Sequence, residues 1–425
     1  MGPLFRVQIL AMSSGERFPL VIDNRHGRPT FDVTAFLLRE RRPRGVQFNT
    51  LKAHAEAIRF FLTWAAFTAI DLDARLSEGR LLSFDEVEDL AGAVRLGFGG
   101  LATQGLKPAK PGRTKTRSVE RTFRQSQRIQ LGVDPTVAGT RIRYIADYLD
   151  WIVKARCRPP RGSRSDLGVG ISPGEIGSLL RARAPKSQNR NPDSEREALS
   201  EEAQDALLAA TAAESTKNPF ERAFVRDRNE LIILLFYHLG LRQGELLKLK
   251  VGAAHFNAQK RILNITRSPD DPGDTRLDAP QAKTNARSLE LSDRLTKRIL
   301  DHLVNHRRLR KHAPSHSFLF VSQSGHPLSK SAIKKIFSTI RSTVEGLDGK
   351  LSPHQLRHTF NENLSEMFDT SGTSDENEKR IRAYLNGWAP QSETASIYLR
   401  RRTRRSAHKL GIKLQQKLEQ GPDRE

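Results

Sequence analysis

The stretch Leu351-Ser-Pro-His-Gln-Leu-Arg-His-Thr-Phe360 decides how the rest of the chain is read. Pro353 stands where a helix would begin, its fixed φ suited to a first turn. His354 and Arg357 are three residues apart, so a helix sets them on one face, while Leu356 and Phe360 share another, apolar face. An imidazole and a guanidinium converging from an anchored helix suit a phosphate. The arginine supplies a bidentate fork, and the histidine a proton acceptor or donor near neutral pH. An H-x-x-R spacing is common by chance, so its meaning depends on partners elsewhere.

Charge narrows the ligand. The chain has 425 residues, with 71 Lys and Arg against 48 Asp and Glu, a net +23, and a pI near 10.5. That excess points to a polyanion, with nucleic acid as the leading class. No run of about 18 apolar residues offers a membrane span. No basic amphipathic helix with large apolar residues suggests a membrane surface. The first residues lack the regions of a signal peptide. Cys157 is the single cysteine, which excludes an internal disulfide framework and a cysteine-rich zinc site. A reducing cytosol is the plain reading.

The length predicts two or three domains. Residues 1–46 read as a strand-containing segment, an accessory or arm element, with a hairpin from Phe5–Leu10 and Phe18–Asp23. Residues 47–157 read as helical, with Leu51, Ala55, Ile58, Leu62 and Ala65 at helical spacing after Thr50. Further helices are expected after Ser83 and over Thr140–Ala155. Tyr144, Tyr148 and Trp151 lie near the apolar stripe of the latter and read as core. Between these helices, Lys107, Lys110, Arg113, Lys115, Arg117, Arg121, Arg124 and Arg128 face one acid, Glu120, in a basic segment suited to a phosphate backbone. Residues 158–197 read as a linker, with a short helix over Ile176–Leu180. Residues 198–412 form the second domain, and 413–425 a flexible tail.

Within the second domain, Asn229–Leu239 reads as a buried helix ended by Gly240. Arg242 follows at once and opens another helix, whose N-terminus favours anions. Taken alone it also reads as a surface arginine beside a helix end. Glu245 could hold a neighbouring cation. Strand-like runs cover Arg261–Thr266, Ser288–Leu291 and Phe318–Val321, with an Asp-rich loop after the first. Lys283 sits on a turn between the first two, where a lysine can reach a leaving oxygen and donate a proton. Among five tyrosines, Tyr144 and Tyr148 belong to the first domain. Tyr237 lies in an apolar run, and Tyr384 in a packed turn of helix. Tyr398 remains, with few large apolar neighbours and a cationic cluster after it, a field that favours phenolate over phenol.

Together, Leu239-Gly-Leu-Arg-Gln-Gly-Glu-Leu, the Lys283 turn, His354-Gln-Leu-Arg-His-Thr-Phe, Gly387-Trp and Tyr398 resemble the tyrosine recombinase (phage integrase) family in order and spacing. The resemblance covers roughly residues 198–410. It implies a mainly α fold with a small β-sheet, in which a helical core-binding domain and a mixed α/β catalytic domain clamp DNA. It makes Arg242 and Arg357 the phosphate-binding arginines, Lys283 the hairpin lysine, His354 the first motif histidine and Tyr398 the nucleophile. Trp388 falls where the family has histidine or, in some members, tryptophan. The Trp388–Tyr398 interval is about one residue longer than the common pattern.

The implied reaction is transesterification through a 3′-phosphotyrosine, with no metal, nucleotide or other cofactor. Tyr398 attacks, the arginines balance charge, Lys283 protonates the 5′-oxygen, and His354 serves as base or hydrogen-bond donor. Trp388 can only donate its indole N–H or pack, and His358 is expected to orient neighbours. The implied partners are double-stranded recombination sites, three further copies in a DNA-bound homotetramer, and accessory DNA-bending or directionality proteins. A type IB topoisomerase is the alternative, as is a non-catalytic DNA-binding protein on the same fold.

Overall fold

The structure is a computed structural model. It describes residues 3–104, 132–157, 172–185, 198–267, 270–280, 284–347, 351–389 and 391–419. The chain divides into two compact units, Met1–Ser194 and Glu195–Glu425.

In the first unit, β1 (Phe5–Ala11) and β2 (Arg17–Asp23) pair antiparallel with Val7 opposite Val21, and β3 (Arg28–Pro29) adds a short edge. This hairpin is no free arm. Phe5, Phe18 and Val21 join one apolar core with Leu51, Ile58, Phe61 and Trp64 of the long helix α1 (Phe48–Phe67). That helix starts two residues ahead of Thr50, with Gln47 at its cap. Helix α2 (Phe84–Gln104), broken by a kink at Gly97, opens on a reciprocal cap, in which Ser83 N–H donates to Glu86 and Glu86 N–H to Ser83. Helix α3 (Pro135–Arg156) has Pro135 in its first turn and Asp134 accepting from the Thr136 N–H. Its Ile142, Ile145, Tyr148, Leu149 and Ile152 are buried in the same core. Each such side chain contributes about 1.5–3 kcal/mol on leaving water. Tyr148 is core, as its stripe predicts, and Tyr144 and Trp151 pack partly buried against it. The segment read as a linker contains α4 (Ile176–Ala182), whose Ile176 and Leu180 are fully buried in this core.

The second unit is built on α5 (Glu201–Thr211), the apolar α6 (Ala223–Leu239) and the short α7 (Gln243–Lys248). A three-stranded antiparallel sheet follows, of β4 (Phe256–Asn257), β5 (Ile262–Ile265) and β6 (Arg287–Glu290), with Leu263 opposite Leu289. Phe318–Val321 does not join it and makes only single bridges, Phe318 to Lys250 and Val321 to Pro327. The described part of the Asp-rich loop is tied down. Asp271 pairs with Lys250 at 2.7 Å, and Arg276 bonds Asp274 while donating to the Leu247 and Leu328 carbonyls. Helices α8 (Lys330–Thr343), α9 (Pro353–Ser371), α10 (Asp375–Asn386) and α11 (Thr394–Glu419) complete the unit. Helix α11 runs past Lys413, so the helix extends into the region read as a flexible tail. Leu231, Phe236, Leu246, Phe337 and Leu356 anchor the core. Among the described residues no helix is long and apolar enough to cross a membrane.

Candidate active site

The site grows from the ends of α6, α9 and α10. Helix α6 stops at Gly240, at φ +55°, where a Cβ would come within 2.3 Å of Phe360. Only glycine combines that turn with so close a neighbour. The buried Gly240 backbone then meets α9, and its carbonyl accepts from Arg357 Nη1 at 2.6 Å. Arg357 Nη2 donates to the Asn386 carbonyl at 2.8 Å, and Arg242 Nη1 donates to that same oxygen at 3.0 Å. Two guanidiniums therefore converge on one point, the last turn of α10.

Glu245 fixes this frame. Its buried carboxylate accepts the Arg242 backbone N–H at 3.0 Å and both Arg287 Nη groups at 3.2 and 2.9 Å. The Thr284 hydroxyl also donates to it. The N-terminus of α7 is thus capped from within rather than left open to an anion. Gly387 lets β6 approach, since a Cβ there would meet Arg287 Nη1 at 2.5 Å. Burial outweighs the help from Glu245 and holds the Arg242 guanidinium below its ordinary value. Burial, reinforced by Arg242, pushes Arg357 down to about 9. Three guanidiniums around one carboxylate leave positive charge that an anion would stabilise.

Tyr398 lies beside them. Its ring stacks on Trp388, with centroids 5.9 Å apart and planes at 15°, and Arg357 sits 5.6 Å from the Trp388 ring. Arg382 covers the Tyr398 ring at 5.3 Å. The sequence shows few large apolar residues near Tyr398, yet the side chain is buried, because Trp388 comes from another element. Its hydroxyl lies 3.0 Å from His358 Nδ1, and His358 Nε2 lies 3.1 Å from His354 Nε2. His354 itself is exposed at the start of α9.

Residues 199–404 match the sequence model of the phage integrase family. The matched residues make up most of the second unit. A curated relative, Tyrosine recombinase XerD of Halalkalibacterium halodurans, is 26% identical over 182 residues, which is 43% of this chain and 51% of the relative. The chain thus spans about half the length of the curated relative it matches. Among solved structures, the XerH site-specific recombinase in a post-cleavage complex with palindromic difH substrate is 15% identical, with a TM-score of 0.51 over 87% of this chain and 81% of that one. It shares the fold. The Tn1549 transposon integrase in complex with transposon right-end DNA aligns with 89% of this chain and 99% of its own, at 13% identity and a TM-score of 0.48.

Within the unit that matches the integrase model the structure brings Arg242, Arg357, Trp388 and Tyr398 together, with His354 one imidazole removed from the tyrosine. Lys283 lies outside the described residues. Its neighbour Thr284 bonds Glu245, and Asn285 is held by the Gly387 carbonyl at 3.1 Å and the Trp388 carbonyl at 3.2 Å. The basic residues Lys107, Lys110, Arg113, Lys115, Arg117, Arg121, Arg124 and Arg128 also lie outside the described residues. Tyr384 is not packed as expected. It is 57% exposed, and its hydroxyl donates to the Ser288 carbonyl.

Sequence reasoning missed the supports. Asn386 holds both arginines, and its side chain bonds Asn361, which with Ser365 and Glu378 surrounds the fully buried Arg382. The signal for Asn386 was present in Asn386-Gly387, a helix-ending pair. Elsewhere, Asp227, Asp301 and His306 bring possible metal-ligand atoms within 4.8 Å of one another. Arg298 and His302 already take the Asp227 oxygens.

Proposed function

We propose that this protein is a site-specific DNA recombinase of the integrase type, cutting and rejoining double-stranded DNA through a covalent 3′-phosphotyrosine at Tyr398. The observation that carries this reading is the convergence of Arg242 and Arg357 on one carbonyl, beside a tyrosine stacked on Trp388. A phosphodiester drawn to the two guanidiniums meets the Tyr398 hydroxyl. Attack forms the Tyr398–phosphorus bond and breaks the bond to the 5′-oxygen, which Lys283 protonates. The arginines balance charge on the five-coordinate phosphorus, where one preorganised donor is worth about 3–4 kcal/mol. Because the ester stores the bond, a second strand's 5′-hydroxyl reverses the step without ATP, metal or other cofactor.

The working form is a homotetramer on two DNA sites, helped by accessory DNA-bending or directionality proteins. Leu410, Ile412 and Leu414 stand exposed on α11 and suit a seat on a neighbouring copy. Incubating the full chain with a randomised pool of nicked duplexes tests the reading. Wild type should trap DNA covalently and join duplexes, while Tyr398→Phe should bind the same DNA and trap none. An adduct with Tyr398→Phe would move the nucleophile elsewhere. Relaxation of supercoils without joining would favour a topoisomerase.

A further inference from the structure

We propose that His358 is the base that takes the Tyr398 proton, and that His354 relays that proton to solvent. This rests on the reading of Tyr398 as nucleophile and assigns a step to a histidine outside the H-x-x-R pair. The geometry is a short chain of atoms. Tyr398 Oη is 3.0 Å from His358 Nδ1, and His358 Nε2 is 3.1 Å from His354 Nε2. The two imidazoles meet edge to face, with centroids 4.6 Å apart and planes at 81°. Their spacing of four residues on α9 stacks them on one side of the helix.

Only one proton fits between the two Nε2 atoms. With it on His358, that ring's Nδ1 is free of hydrogen and accepts from the Tyr398 hydroxyl. His354 then carries its own hydrogen on Nδ1 and offers Nε2 as acceptor. One arrangement of hydrogens thus satisfies both contacts and points the chain outward, since His354 is exposed.

The step balances. The Tyr398 oxygen bonds phosphorus as its proton moves to His358 Nδ1. The His358 Nε2 proton passes to His354 Nε2, and His354 Nδ1 gives one proton to water. On rejoining, the same chain runs backwards and returns a proton to the phenol. The surrounding charges assist the forward direction. Arg382 lies over the ring from α10, while Arg242 and Arg357 also feel the phenolate's charge. Glu378 and Glu362 act on Arg382. Trp388 stacks on the same ring.

The test uses the full chain and the duplexes that wild type captures from the randomised pool, remade with sulfur in place of the bridging 5′-oxygen. A thiolate leaves without an acid, so the rate reports the tyrosine half of the reaction alone. Wild-type adduct formation should level off above the ordinary imidazole range, about pH 6.5. His358→Gln should bind the same DNA yet lose about 10²-fold at neutral pH, the lower end for general base catalysis. Its rate should keep climbing toward about pH 10, where phenol ionises unaided. Imidazole in solution should restore His358→Ala.

His354→Gln, an exposed change that leaves the core intact, should show a smaller loss with the plateau displaced. His358→Gln within a few-fold of wild type and with the wild-type pH profile would overturn the relay alone. So would an unshifted profile for His354→Gln. No adduct with wild type, or an adduct with Tyr398→Phe, would instead remove the nucleophile assignment, and the relay with it.

Discussion

Glu245→Ala removes the carboxylate on which the active-site frame meets. Four donors lose their acceptor: the Arg242 N–H, the Thr284 hydroxyl and both Nη groups of Arg287. The Arg287 side chain is 1% exposed and that of Glu245 0%, so water cannot replace the lost partner without the structure opening. Breaking a buried pair by removing one member costs about 3–5 kcal/mol, chiefly because the remaining charge is stranded. For a unit of this size each kcal/mol lowers the melting midpoint by about 2–4 °C, so the expected fall is about 6–20 °C.

Trp388 is the tryptophan of the second unit, Trp64 and Trp151 belonging to the first. Its fluorescence in a Trp64→Phe, Trp151→Phe background therefore reports this unit during urea unfolding. The double change Glu245→Ala with Arg287→Met should recover much of the loss, because no buried charge then remains. Acid provides a second readout. Burial alone would raise the Glu245 pKa, but the hydrogen bonds and charge of Arg287, with Thr284 and Arg357, bring it below the ordinary value. Its contribution is therefore complete above the unfolded value of about 4.3 and is lost as pH falls through the lower folded value. Glu245→Gln should remove that part of the acid sensitivity. A single mutant within about 1 kcal/mol of wild type, or a double mutant no more stable than the single, would refute the reasoning.

Two further substitutions probe neighbouring contacts. Gly240→Ala should destabilise the second unit by about 1–3 kcal/mol from its positive φ, more with the Phe360 clash, and Phe360→Leu in the same chain should return part of it by urea titration. Trp388→Ala should reduce covalent adduct far more than DNA binding, since it removes the surface on which Tyr398 stacks. Trp388→His should retain more adduct than Trp388→Ala, and equal loss in the two would leave the stacking without a role.

The parts of this site that are legible from sequence are those written in adjacent residues. Ser352-Pro353 begins α9, with the Ser352 hydroxyl accepting from the Gln355 N–H, and Gly240 and Gly387 end their helices in the left-handed conformation. Backbone geometry alone dictates these choices, so the spacing of Arg242, His354 and Arg357 could be converted into placement. The first unit's hairpin was legible for the same reason, but not its burial. An alternating pattern shows that Phe5, Phe18 and Val21 have an inner face and leaves open what covers it. Helix α11 shows the converse failure. Its polar last stretch from Lys413 reads as tail, yet that stretch is rich in Leu, Lys and Gln, all good helix formers, and the helix runs on to Glu419. Polarity reports exposure, and it does not report whether the backbone is coiled.

The supports were hidden because each is a pair of distant residues that looks ordinary in its own neighbourhood. Arg287 sits in an alternating strand, where arginine reads as the solvent side, and only its meeting with Glu245 across 42 positions makes it buried. Arg382 reads as one more charge on a helix of mixed charge, and its meeting with Asn361 and Ser365 of α9, beside Glu378 of its own helix, explains its complete burial. His354 and His358 differ in kind, since both lie on one helix and their four-residue spacing was visible throughout. The three-residue spacing of His354 and Arg357 reads as one functional stripe on α9. The structure gives it two. The inner stripe carries Arg357 beneath Trp388, shielded from water where a phosphate gains most from a fixed charge. The outer stripe carries the imidazoles, and a proton relay has to end at water. A residue that holds charge in place and a residue that lets charge escape have opposite solvent requirements, and a single face could not meet both.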